Sequence, residues 1–113
     1  MTKHPVAEKL RATAALMRQR AGAVEAEMAD PGNRYWGGTG AERYREGVTG
    51  GLGGASGELA AGFDPDTVRA IAALLECEAS FIDAQVFPRS DPVIERYPLA
   101  VARAYLGEEV VPA

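Results

Sequence analysis

Asp-Pro occurs three times in this chain, and the residues after each pair constrain the fold more than any other feature. An aspartate before a helix accepts a hydrogen bond from an exposed first-turn N–H, and a proline in the first helical position gives up an N–H that has no helical partner. After Asp64-Pro65, residues Val68, Ile71, Ala72, Leu75, Ala79, Ile82 and Val86 recur at three- and four-residue steps, which predicts a helix over 64–87. Leu74, Cys77 and Phe81 form a second stripe beside the first. A helix with so wide an apolar face is either central in a bundle or shared with a partner. Asp91-Pro92 opens a further helix over 91–106, in which Pro98 predicts a kink or restart and Gly107 a stop. Asp30-Pro31, by contrast, runs into Gly32-Asn33, and this turn chemistry ends whatever precedes it.

The segment it ends is a helix over 5–28, with Pro5 at its start. Val6, Leu10, Met17, Val24 and Met28 trace one stripe, with Ala14 and Ala21 between them. From 29 to 63 the chain changes character. A turn leads to one short helix, Ala41 to Glu46, with Thr39 and Glu42 at capping-box spacing. Gly47 to Gly57 is then so rich in glycine that a mobile loop is expected, because each glycine costs a helix about 1 kcal/mol. Residues 108–113 read as a frayed tail. No segment alternates with period two. The expectation is one all-α domain: a small bundle of three main helices with a glycine-rich loop between the first and second.

A net charge of −4 argues against sequence-independent nucleic-acid binding, which needs a basic face to displace counterions. It leaves room for a small anionic ligand at a local basic spot. No apolar run approaches the ~18–20 residues that span a bilayer. The first residues carry charges without an apolar stretch behind them, unlike a signal peptide. A cytoplasmic location, with no membrane partner, is the expectation. The single cysteine excludes an internal disulfide.

Candidate chemistry is sparse. His4, the only histidine, reads as a frayed surface residue. Cys77 lies among Leu74, Leu75 and Phe81 and reads as core, since an activated thiol needs a histidine or cationic neighbour. No cysteine–histidine cluster has metal spacing, and Glu76 and Glu78 point to different helix faces. The glycines lack both the lysine of a phosphate-binding loop and the preceding strand. No enzyme activity, cofactor or metal is expected. The distinctive patch is Arg34, Tyr35 and Trp36, followed by Gly37 and Gly38, with Arg43, Tyr44 and Arg45. Arginine and aromatic groups together are enriched at binding hot spots and stack on flat ligands. The same residues also suit a plug at the end of a helical bundle.

Two resemblances add to this reading. Trp36-Gly37-Gly38-Thr39-Gly40-Ala41-Glu42-Arg43-Tyr44 resembles the turn of the WXG100, or ESAT-6-like, proteins of type VII secretion, and Tyr105 with Glu109 resembles their C-terminal export signal. That resemblance implies a helical hairpin whose second helix begins right after the turn, which would have to absorb Gly47 to Gly57 and Asp64-Pro65. Leu10 to Ala21, the Asp30-to-Trp36 turn, Asp64 to Glu78 and Pro98 to Glu108 together resemble a group of small helical proteins of actinobacteria and their phages. It implies a phage or prophage accessory role and brings no activity with it. The function expected is a non-enzymatic interaction protein, either a homo-oligomer or one that binds a host protein. The alternatives are a module that binds or sequesters a small anionic or nucleotide ligand, and a WXG100-type secretion substrate.

Overall fold

The computed structural model describes residues 4–33, 35–36, 42–84 and 92–108, the side chains of 92–94 excepted. Among them are five helices and no strand: α1 (Pro5–Ala29), α2 (Glu42–Leu52), α3 (Gly54–Ala61), α4 (Pro65–Asp83) and α5 (Pro92–Leu106). The chain is all-α, as its apolar spacing requires. No described helix is long and apolar enough to cross a membrane.

The termini of these helices follow the capping chemistry of the sequence. The Asp64 carboxylate accepts from the Thr67 N–H at 2.8 Å, with Pro65 in the first helical position. This bond holds the Asp64 carboxyl below its ordinary range, and the nearby charge of Arg45 lowers it slightly further. At the end of α1 the Asp30 side chain accepts from the Gly32 N–H at 2.9 Å and closes the turn. Gly107 sits at φ 76° after α5, and the Glu108 N–H reaches back to the Arg103 carbonyl at 2.9 Å, a Schellman closure. The caps expected at Thr39 and Asp91, the end of the fourth helix at 85–87, and the tail over 109–113 lie outside the described residues.

The middle of the chain corrects the sequence reading. Gly47 to Gly57 is not a loop. The short helix continues to Leu52, and a further helix starts at Gly54. The physical reason is tertiary contact overriding intrinsic propensity. A β-carbon at Gly47 would overlap the Trp36 ring, and one at Gly51 the Tyr35 hydroxyl, so the bare side of α2 admits two aromatic rings. At Gly57 a β-carbon would lie 3.2–3.3 Å from Thr49 and Val48 backbone atoms, so α3 passes against the backbone of α2. Only Gly53 and Gly54, at φ 71° and 57°, use conformational freedom, and they make the corner between the two helices. The described residues therefore form five helices where three main helices and one short one were expected. Of the kink or restart expected at Pro98, the restart is absent, and α5 runs through that proline as one helix.

The structure divides into two compact units, Met1–Met17 with Ile71–Ala113, and Arg18–Ala70, and the divisions fall inside α1 and α4. The first unit holds a side-chain core. Ala7, Leu10, Ala14 and Met17 of α1 are buried at three–four spacing, as are Ala72, Leu75, Ala79 and Ile82 of α4, with Ala102 of α5. Thr13 is also buried, and its hydroxyl donates to the Lys9 carbonyl at 2.8 Å. Around this core Arg11 pairs with Asp83 at 2.6 Å, and Lys9 pairs with Glu108. His4 is not frayed. Its Nδ1 accepts from the Val6 N–H at 3.2 Å, and its Nε2 lies 3.0 Å from the buried Glu95 carboxylate, at ion-pair distance but off the hydrogen-bond direction. The second unit buries only Ala21, Ala61 and Pro65 among its described apolar side chains. Arg69 pairs there with Glu25 through both guanidinium nitrogens, which holds the Glu25 carboxyl below its ordinary range.

Candidate functional site

The arginine–aromatic patch belongs to the second unit. The Asn33 side chain accepts from the Tyr35 N–H at 3.0 Å and turns the chain so that both aromatic rings face α2. The Trp36 ring stacks on Tyr44 with centroids 5.8 Å apart and planes 16° from parallel. Tyr35 meets Trp36 edge-on at 4.9 Å and 85°, and its hydroxyl donates to the Gly47 carbonyl at 2.7 Å. Arg43 donates to the Trp36 carbonyl at 3.1 Å. Burial pushes the Tyr44 phenol above its usual range, and the neighbouring Asp64 charge adds to this.

Four of the six candidate residues thus converge: Tyr35, Trp36, Arg43 and Tyr44. Arg45 is exposed and acts electrostatically on Asp64. Arg34 lies outside the described residues, as do Gly37 and Gly38. The ring faces within the cluster are turned to one another and to the glycine side of α2. The free aromatic surface is mostly that of Tyr35, which is half exposed.

The first unit carries a different kind of surface, which the sequence reading identified only in part. Leu74 and Phe81 of α4 stand 57% and 56% exposed, and Tyr97 and Val101 of α5 65% and 42%. Leu74, Leu75, Glu78, Tyr97, Pro98 and Val101 line an open groove of about 300 Å³ in which Glu78 is the one charged residue. Cys77 is exposed on the same helix, which corrects its reading as core. The cause is the geometry of α4, whose two apolar stripes lie on opposite sides. The stripe through Ala72, Leu75, Ala79 and Ile82 is buried, and that leaves Leu74, Cys77 and Phe81 facing outward. The signal was present as the second stripe of α4. Tyr97 and Val101 stand four residues apart on α5, and that spacing alone does not say whether the face is covered.

Among the described residues no three histidine, cysteine, aspartate or glutamate side chains gather as metal ligands would. Compared with known proteins, the chain matches no family model, no curated protein and no solved structure.

Proposed function

We infer that this chain is a non-enzymatic protein-interaction module whose contact surface is the apolar face of α4 and α5. The observation that carries the reading is the exposure of Leu74, Tyr97 and Val101 around one groove, with Phe81 exposed two turns further along α4. Scattered apolar residues on a surface need no explanation, but a contiguous patch beside a groove marks a contact site. Aromatic residues at such a patch are the usual anchors of an interface. A photo-activated cross-linking residue placed at Leu74 tests this in the native host. Discrete covalent adducts are expected from that position and not from exposed Ala15 on α1. Absence of adducts from Leu74 overturns the reading.

The anionic-ligand alternative has less support, because the faces of Trp36 and Tyr44 are already paired. Its test is a thermal-shift screen against nucleotides and inorganic phosphate, and a shift abolished by Arg43→Ala would revive it. The WXG100-type reading gains from α2, which starts shortly after the Trp36 turn, and loses from the corner at Gly53 and Gly54. A phage or prophage accessory role rests on the sequence resemblance, and the genomic neighbourhood tests it.

A further inference from the structure

We propose that the groove between α4 and α5 takes a basic amphipathic helix of a partner protein, with apolar side chains seated against Leu74, Tyr97 and Val101 and a lysine or arginine beside Glu78. This rests on the reading of that face as a contact surface and names the chemistry of its partner. The groove lies wholly within the first unit. Leu74 and Glu78 stand one turn apart on α4, and Tyr97 and Val101 one turn apart on α5, so two helices form its sides. Leu75, 1% exposed, and the half-buried Pro98 close it from below. A groove between two helices receives the apolar side chains that a third helix presents along one face.

Glu78 sets the sign of the occupant. Asp83, Glu95 and Glu108 of the same unit each face a basic side chain. Glu78 is half-buried, yet among the described residues it has neither a hydrogen bond nor an ion pair. The groove around it is otherwise lined by leucine, proline, valine and the Tyr97 ring. Apolar neighbours keep water away from a carboxylate and strengthen its field, and covering it without a cation is costly. The Tyr97 ring stands 65% exposed in the same groove, and the face of an aromatic ring also attracts a cation. A lysine or arginine stem lies along an apolar wall while its charged head stays at the rim.

The charge of the whole chain points the same way. A net charge of −4 draws basic partners and disfavours a second copy of the chain as occupant. An acidic helix, or one with an uncharged polar residue at that place, would cover Glu78 and leave its charge unmet.

The test is fluorescence anisotropy of labelled helical peptides titrated with the full chain. One probe is built of leucine and lysine, with the leucines at the three–four spacing of a single face; two others replace every lysine by glutamine or by glutamate. The lysine peptide should bind in the micromolar range, and the other two about 10-fold more weakly or not at all. Glu78→Gln should weaken the lysine peptide about 5-fold or more. Glu8→Gln removes the same charge from an exposed site on α1 and should change it less than about 2-fold, which separates the groove from the net charge of the chain. Leu74→Ser should weaken all binding about 10-fold, and thermal unfolding confirms that these variants fold. Three results overturn the proposal: no binding of the lysine peptide, equal binding of the three peptides, or equal effects of Glu78→Gln and Glu8→Gln. Any of these, combined with Leu74 adducts in the host, removes the basic helix as occupant while leaving the interaction function in place.

Discussion

The two units of this molecule are held together by different means. The unit built from Met1–Met17 and Ile71–Ala113 buries interlocking stripes of alanine, leucine, methionine and isoleucine. The unit Arg18–Ala70 buries two alanines and Pro65 among its described apolar side chains and relies on rings laid on bare backbone, an aspartate cap and a two-pronged arginine–carboxylate pair. In the first, stability scales with side-chain volume removed from water. In the second it depends on the absence of side chains at a few positions, so the same substitution has opposite meanings in the two regions.

The largest effect should come from emptying the side-chain core. Leu75→Ala, at a position 1% exposed, should cost about 2–5 kcal/mol in denaturant unfolding monitored by circular dichroism. A value below ~1 kcal/mol would erase the distinction between the units. Adding a methyl group to the second unit should act as a deletion does in the first. Gly47→Ala should destabilise by about 1–3 kcal/mol, because the new carbon overlaps the Trp36 ring. Gly50→Ala, further along the same helix and with nothing within 4 Å, should instead stabilise by up to about 1 kcal/mol. Equal signs for the two substitutions would show that propensity, not contact, governs α2.

Asp64→Ala should cost about 1 kcal/mol through the lost cap of α4. The accompanying pH dependence has a fixed sign. The Asp64 carboxyl is held below its ordinary value of 3.8 in the folded chain, so its contribution is fully present above that pH. It fades as pH falls from there through the lowered folded value. Asp64→Asn keeps a capping oxygen and should flatten that part of the acid profile. Smallest of all, Cys77→Ser should change stability by less than about 0.5 kcal/mol, because the thiol is exposed.

The same contrast explains which features were legible in the sequence. Asp64, Asp30 and Gly107 announced their roles because capping is local chemistry, confined to one turn of chain. Leu10, Ala14, Met17, Leu75 and Ile82 were legible because burial imprints a period on the helix. Gly47, Gly51 and Gly57 were misread because their role is defined by the groups that approach them. Trp36 is remote from Gly47 in the chain, and nothing in the glycine itself records that neighbour. Cys77 was misread for a related reason: a stripe of apolar residues looks the same whether its cover is the chain's own core or another surface. His4 was misread as a frayed surface residue because its partner, Glu95, is distant in the chain and brought near only by packing.

The stacking of the only tryptophan on Tyr44 has an optical consequence. Indole emission from this chain reports on the Arg18–Ala70 unit alone, whereas far-ultraviolet ellipticity sums helices from both. A melt recorded both ways on one sample therefore asks whether the units unfold together. Coincident curves would mean a single cooperative transition, and an early loss of emission would identify the glycine-lined unit as the first to open.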